Sequence, residues 1–173
     1  MNSEKLCEKA LFELAEGNTE ALSVIYDEMS RSIFSLAYTV TGNYCDAEDV
    51  LQNTMIDITR ACREYRGGSV KAWVLTLTRH NAIDVIRKRK EGAEIALDEL
   101  SESAAGETPE GFYMVETMDM LSVLEMEEKQ VILMRLYAKM PYREIAAVLG
   151  IKLFAAQKKY QRAISKLRKY NKE

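Results

Sequence analysis

Residues 65–90 read YRGGSVKAWVLTLTRHNAIDVIRKRK, a short loop with two glycines followed by a long helical pattern that ends in a basic run. This stretch holds the only tryptophan, Trp73, and the only histidine, His80. At about 100° per residue, apolar side chains collect on one face of the predicted helix, and Trp73 lies with polar side chains on the other. The apolar face comprises Val74, Leu75, Thr78, Ala82, Val85 and Ile86, and the polar face Trp73, Thr76, His80, Asp84 and Arg87.

An aromatic side chain within a polar helix face indicates contact with nucleic acid. Trp73 offers a π surface for an unstacked base, and the run Arg87-Lys88-Arg89-Lys90 attracts the phosphate backbone whatever its sequence. A structural interpretation competes with this one, because a lone tryptophan often belongs to a core and a basic helix end often complements the helix dipole. This helix alone does not decide between the two.

Length and composition narrow the class of protein. The 173 residues allow one ordinary domain or two small ones, and 47% hydrophobic residues suffice for their cores. No apolar run approaches the roughly 18 residues of a membrane helix, and the acidic, amphipathic start of the chain does not resemble a signal peptide. We therefore expect a cytoplasmic protein. Cys7, Cys45 and Cys62 lack CxxC spacing, so we predict three reduced, buried thiols and neither a disulfide framework nor a metal site.

Charge is segregated along the chain although the net charge is only −3. The formal charges are −8 for residues 1–59, +7 for residues 60–90, −12 for residues 91–128 and +10 for residues 129–173. Two basic blocks separated by an acidic one indicate two nucleic-acid contacts joined by a segment that avoids duplex DNA.

The predicted fold class is all-α, because the chain reads as helix almost throughout and lacks the period-two alternation of strands. Thr19 is expected to cap a second helix, whose buried side would include Tyr26. Asp46 is expected to cap a third helix by accepting a hydrogen bond from the backbone N–H of Asp49.

The third predicted helix has an acidic face beside its apolar stripe. A solvated acidic face is the ordinary interpretation of such a helix, and a surface that docks a protein partner is the alternative. The polar residues concerned are Asp46, Glu48, Asp49, Gln52, Asn53 and Asp57.

Residues 92–113 are predicted to be an acidic linker between two small helical domains, residues 1–91 and residues 114–173. In the second domain, PYREIAAVLGI at residues 141–151 is typical of a helix-turn-helix, with Gly150 at the tight turn. We expect helices at 114–124, 127–139, 142–149 and from 152 to about 170, the last with Tyr160 and Tyr170 in its buried stripe. That helix would present Gln157, Lys158, Gln161, Arg162 and Lys169 to phosphates and base edges.

Three stretches of the chain together resemble bacterial σ70-family factors of the extracytoplasmic-function (ECF) group. They are DAEDVLQNTMIDITR at residues 46–60, the stretch at residues 65–90, and EEKQVILMRLYAKMPYREIAAVLGI at residues 127–151. The resemblance implies a promoter-specificity factor without catalytic activity or cofactor, whose partners are core RNA polymerase and promoter DNA. It also allows an anti-sigma factor as a partner. Any association with a membrane would then be indirect, through that factor. It places core docking on the acidic face of the third helix, and −35 contacts at Tyr142, Arg143, Lys152, Gln157, Lys158, Gln161 and Arg162. The −10 contacts it implies are Tyr65, Arg66, Ser69, Lys71, Trp73, Thr76, Arg79, His80, Asn81, Asp84, Arg87, Lys88, Arg89 and Lys90.

The recognition helix departs from the family pattern, because KLFAAQKKYQRA stands where something like SVGTVKSRLHRA is usual. Phe154 and Ala155 occupy the usual Gly and Thr positions, and Phe154 either packs against the preceding helices or belongs to an apolar patch for a protein partner. We therefore expect weak or unusual −35 recognition. The alternative functions are a helix-turn-helix regulator that binds DNA without polymerase, and a sigma-like protein with degenerate −35 recognition.

Overall fold

The computed structural model describes residues 2–93 and 120–172, and these residues form helices and turns with no strand among them. The predicted all-α class is therefore confirmed. Short 3-10 turns occupy Thr19–Ala21 and Cys62–Glu64, and a π-helical turn occupies Leu133–Tyr137. The α-helices are α1 (Ser3–Ala15), α2 (Leu22–Thr41), α3 (Tyr44–Ala61), α4 (Val70–Ala93), α5 (Met126–Ile132), α6 (Tyr142–Leu149) and α7 (Leu153–Tyr170).

The first four helices form one bundle in which α2, α3 and α4 pack on one another and α1 lies against α2. The apolar face predicted for α4 is found, since Val74, Leu75, Thr78 and Ala82 are buried. Its C-terminal end is looser, because Val85 and Ile86 are only half-buried. The bundle therefore buries the apolar face of α4 and leaves His80, Asp84 and the basic end of the helix exposed.

Two predicted helix caps are wrong by a few residues. The side chain of Asn43, not that of Asp46, caps α3, and it accepts a hydrogen bond from the Asp46 N–H at 3.0 Å. Asn18, one residue before Thr19, accepts from the Glu20 N–H at 3.2 Å and caps the 3-10 turn, whereas α2 itself has no side-chain cap. Asparagine and aspartate both suit the cap position, so sequence alone does not choose between such neighbours.

The start of α4 is capped from two sides. Ser69 Oγ accepts a hydrogen bond from the Ala72 N–H at 3.1 Å, and a carboxylate oxygen of Glu4 accepts from the Val70 N–H at 2.5 Å. The carboxylate lies at the positive end of the helix dipole. The first helix of the chain thus helps to fix the start of the predicted DNA-contacting helix.

The second domain contains the predicted helix-turn-helix, formed by α6, Gly150 and α7. Gly150 has a φ of 65°, the left-handed conformation that closes the turn after α6. The helix expected at 127–139 is α-helical only from Met126 to Ile132 and then continues as the π-helical turn. Tyr170 is half exposed, so its assignment to the buried stripe of α7 is wrong.

The two domains share a hydrophobic core. Side chains of the second domain, among them Met134, Met140 and Ile145, belong to the same buried cluster as Ile25 and Val74 of the first. Helix α6 packs on α4, and α5 with the π-helical turn packs on α2. This contact between the domains was not predicted from the sequence.

The three cysteines differ in their exposure. Cys7 and Cys62 are buried as expected, but Cys45 is exposed, so the prediction of three buried thiols is wrong for that residue.

The linker expected at 92–113 falls outside the described residues except for its first two positions, which belong to α4. Most of the helix expected at 114–124 also falls outside them. None of the described helices is long and apolar enough to cross a membrane.

Candidate nucleic-acid and partner interfaces

The first turns of α2 and the middle of α3 border a surface groove of about 630 Å³. Two of the predicted docking residues, Glu48 and Gln52, line it, and Asp49 and Asn53 are exposed on the same helix. The other lining residues are Thr19, Glu20, Leu22, Ser23, Tyr26, Leu51, Met55 and Ile56. The groove therefore combines polar and acidic groups with an apolar lining.

Tyr26 and Ile56 line this groove while remaining 48% and 47% exposed. The assignment of Tyr26 to the buried side of α2 is therefore wrong. Both residues lie one position along the helix from buried ones, Ile25 and Met55, so spacing alone could not separate core from rim. Exposed aromatic and aliphatic side chains beside carboxylates are typical of protein-docking surfaces.

Two of the predicted docking carboxylates are engaged within the protein. Asp46 forms an ion pair with Arg89, and Asp57 accepts a hydrogen bond from Asn81 Nδ2 at 2.9 Å. The same amide group of Asn81 lies 3.4 Å from Thr54 Oγ1. These pairs tie α3 to α4, so the structure gives Asp46, Asp57, Asn81 and Arg89 a positioning role.

The loop before α4 is held by aromatic side chains. Tyr65 is buried, donates a hydrogen bond to the Gly68 carbonyl at 2.8 Å, and meets Trp73 edge-on at 5.7 Å between ring centroids. Burial and the nearby Glu8 carboxylate raise the pKa of Tyr65 to about 12. Gly67 and Gly68 have φ values of 93° and 100°, which side chains with a Cβ rarely adopt. Trp73 is half-buried, and its observed contact favours support of this loop.

Three predicted −10 residues contact the second domain instead of solvent. Ser69 Oγ donates to Glu144 Oε2 at 2.8 Å, Lys71 Nζ donates to the Ala138 carbonyl at 3.1 Å, and Arg79 Nε donates to Gln130 Oε1 at 3.3 Å. Thr76 is half-buried and donates to the Ala72 carbonyl in its own helix. In this conformation the second domain covers one side of α4.

Seven residues of the predicted −10 set are exposed. Asp84 and Arg87 form an exposed ion pair at 3.1 Å. Exposure leaves this part of the helix, with its basic end, able to meet a polyanion. The exposed members of the predicted −10 set are Arg66, His80, Asp84, Arg87, Lys88, Arg89 and Lys90.

Most of the predicted −35 set is exposed: Arg143 on α6, Lys152 in the turn before α7, and Lys158, Gln161 and Arg162 on α7. Tyr142 is half-buried, with the Arg135 guanidinium 4.6 Å from its ring centroid and the Tyr160 ring edge-on at 5.6 Å. Gln157 is also half-buried. Phe154 is 68% exposed, so the interpretation in which it packs against the preceding helices is wrong.

Comparison with known proteins settles the family. A model of sigma-70 region 2 matches residues 25–91, and a model of sigma-70 region 4 matches residues 114–167. The chain belongs to the sigma-70 family. The predicted membership of the sigma-70 family is thereby confirmed.

Two relatives of this sigma factor are themselves ECF sigma factors. It is 29% identical over 156 residues to SigE of Mycolicibacterium smegmatis, an alignment that covers 84% of this chain and 61% of the relative. It is 25% identical over 172 residues to SigK of Mycobacterium ulcerans, with 91% and 89% covered. The chain thus spans less than two thirds of the SigE length and most of the SigK length.

Two solved structures have the same fold. CnrH, in complex with the cytosolic domain of CnrY, superposes with a TM-score of 0.72 at 19% identity and covers 99% of this chain and 98% of its own. The sigma factor RpoE of Bartonella quintana, in complex with the anti-sigma factor NepR, superposes with a TM-score of 0.66 at 18% identity. In that second comparison, 85% of this chain and 94% of RpoE are covered.

Proposed function

We propose that this sigma factor docks on core RNA polymerase through the groove between α2 and α3 and contacts promoter DNA through α4 and α7. One observation carries the proposal: α3 takes part in both surfaces. Glu48 and Gln52 line the groove, whereas Asp46 and Asp57 hold Arg89 and Asn81 of α4. Docking α3 on polymerase therefore fixes the position of α4, because the two helices are joined by polar contacts as well as by packing.

The −10 element would be contacted by the exposed part of α4 and by Arg66 in the loop before it. The basic end of the helix supplies attraction to phosphates, which does not depend on base sequence. Opening DNA also requires capture of unstacked bases, and stacking on aromatic or cationic side chains offsets part of that cost. Tyr65 and Trp73 would act by holding the loop in shape, since Tyr65 is buried and Trp73 packs against it.

The second domain would have to leave α4 before the whole −10 face is available. Ser69, Lys71 and Arg79 are occupied by Glu144, Ala138 and Gln130 in the present arrangement. The freed domain would then reach the −35 element through α7, with residues 92–113 as the connection between the domains, residues 1–91 and 114–173. Core would drive this opening by binding the separated domains more tightly than it binds the closed arrangement.

An anti-sigma factor completes the set of proposed partners, and the NepR complex of RpoE supports it. The protein would act in the cytoplasm, where core polymerase works, and it would carry out no chemical step itself. Among the described residues, no group of three or more His, Cys, Asp or Glu side chains could hold a metal ion.

Reconstitution of the full chain with core RNA polymerase tests the proposal. Transcript 5′ ends mapped on genomic DNA should cluster at new positions when the chain is added to core. The same start positions with and without the chain would contradict the proposal. The control is a chain heated to unfold it before mixing.

A further inference from the structure

Helix α7 carries an exposed aromatic ring at the start of a strongly basic surface. Its 18 residues include six Lys or Arg and no Asp or Glu, and Phe154 is its second residue. Phe154, Lys158, Gln161 and Arg162 lie within about 100° of one another around the helix, and all four are exposed. The Phe154 side chain is 68% exposed and the adjacent Leu153 is 46% exposed, so the start of α7 presents apolar surface beside its basic side chains.

The ring is held on the outer surface of the helix. Lys158 Nζ lies 5.2 Å from the centroid of the Phe154 ring, a cation–π contact made one helical turn away. The side chain that points inward from this part of the helix is that of Ala156, which is fully buried. The ring therefore stays where a ligand of the basic face would meet it.

The charge of this face indicates DNA and not a protein as the ligand of Phe154. Lysine is depleted in the centres of protein interfaces, whereas here Lys158 contacts the ring and the exposed Lys152 precedes it by two positions. In helix-turn-helix proteins, residues in the first turns of the second helix meet base edges in the major groove. The one apolar group that base edges present there is the C5-methyl of thymine.

We propose that Phe154 reads the C5-methyl group of a thymine in the −35 element, with Lys158 and Arg162 on the adjacent phosphates. This inference rests on the proposed contact between α7 and the −35 element. From Phe154 to Arg162 the helix rises by roughly 12 Å, close to the width of the major groove of about 12 Å. This length would let the Phe154 ring reach the base edges while Lys158 and Arg162 contact phosphates at the side of the groove.

The test removes a single methyl group from the DNA. Holoenzyme reconstituted from core and the full chain selects promoter duplexes from a pool randomised across the −35 region. The selected duplex is resynthesised with deoxyuridine at one thymine at a time, and the equilibrium affinity of holoenzyme is measured for each. The same series is run with Phe154→Ala and with a control, Tyr170→Ala, which removes an aromatic ring about half exposed at the far end of α7.

The proposal predicts a loss of about three- to fivefold on deoxyuridine substitution at one or two positions with the parent and with Tyr170→Ala. Phe154→Ala should bind both duplexes equally, and 5-methylcytosine at the sensitive position should restore part of the parent's affinity. The proposal is overturned if no thymine is sensitive, or if Phe154→Ala keeps the same sensitivity. It is also overturned if Phe154→Ala chiefly weakens binding to core, which would make the ring a protein contact. A parent chain that never directs initiation with core would refute the proposed function instead.

Discussion

Ser69 Oγ donates a hydrogen bond to the Glu144 carboxylate at 2.8 Å, although the two residues lie 75 positions apart in the chain. The same oxygen accepts from the Ala72 N–H and so caps α4. The start of α4, the helix proposed to contact the promoter, is therefore tied directly to the first helix of the helix-turn-helix. This single contact links the cap of α4 to the closed arrangement of the two domains.

The closed arrangement predicts energetic coupling between these two side chains. Glu144→Ala should lower the free energy of unfolding by about 1 kcal/mol, and Ser69→Ala by about 2 kcal/mol because it also removes the cap. A double-mutant cycle in urea should give a coupling energy of about 1 kcal/mol, whereas Ser69→Ala paired with Glu91→Ala should give none. Coupling indistinguishable from zero for Ser69 and Glu144 would mean that the domains are apart in solution.

Polymerase docking should depend on the exposed acidic side of α3. Asp49→Lys should weaken binding to core several-fold, because it reverses the charge of one of several carboxylates that act together. Helix content should not change, since Asp49 is exposed. The control is Glu16→Lys, an equal charge reversal at the exposed end of α1. Equal core affinity for the two variants in a fluorescence titration would remove the docking assignment from this helix.

Promoter selectivity should rest mainly on the first domain. The recognition helix lacks the hydroxyl expected at Ala155, and its proposed apolar contact is worth only a few-fold in affinity. Scrambling the −35 region of a cognate promoter should therefore reduce initiation less than scrambling its −10 region. An abortive-initiation assay on the two scrambled templates measures this ranking. The reverse order would contradict the prediction that selectivity rests mainly on the first domain.

The second domain should lose stability in acid through Glu128, a buried carboxylate. Burial alone would raise the pKa of Glu128, but hydrogen bonds from Lys166 at 2.7 Å and from the Glu125 N–H at 3.0 Å outweigh it. The pKa of Glu128 therefore lies below its ordinary value of 4.5. Its stabilising contribution is complete above that value and is lost as the pH falls through the folded-state pKa.

Glu128→Gln removes this acid-sensitive contribution. The parent should be the more stable protein at neutral pH, and the difference in Tm should shrink as the pH is lowered below about 4.5. Thermal unfolding followed by circular dichroism between neutral pH and pH 3 measures the difference. A difference that stays constant over the whole range would show that the ion pair with Lys166 does not contribute as described.

Local features were predictable because they depend on neighbours in the chain. The positive φ of Gly150, the buried stripe of α4 and the helix-turn-helix all follow from spacing and residue type. The ion pair of Asp46 with Arg89 was not predictable, since the two residues are 43 positions apart and each looks like an ordinary surface charge. A single sequence shows that a charge is present but not which distant charge it meets.

The contact between the domains was hidden for the same reason. Lys71 and Arg79 lie on the side of α4 that meets the second domain, whereas the family resemblance implied that both contact DNA. Each long side chain instead donates to an oxygen of the second domain. Tyr26 shows the converse case, in which its place on the apolar side of α2 predicted burial but the structure leaves it at the rim of a groove.

DNA binding measured with and without core polymerase tests the central claim most directly. A fluorescent duplex that carries a start site mapped with the reconstituted holoenzyme is titrated at physiological salt. The free chain should bind this duplex weakly and no better than a scrambled one, because the second domain covers Ser69, Lys71 and Arg79. Adding core should produce tight binding that the scrambled duplex does not share. Tight, sequence-specific binding by the chain alone, unchanged by core, would contradict the account and identify a regulator that works without polymerase.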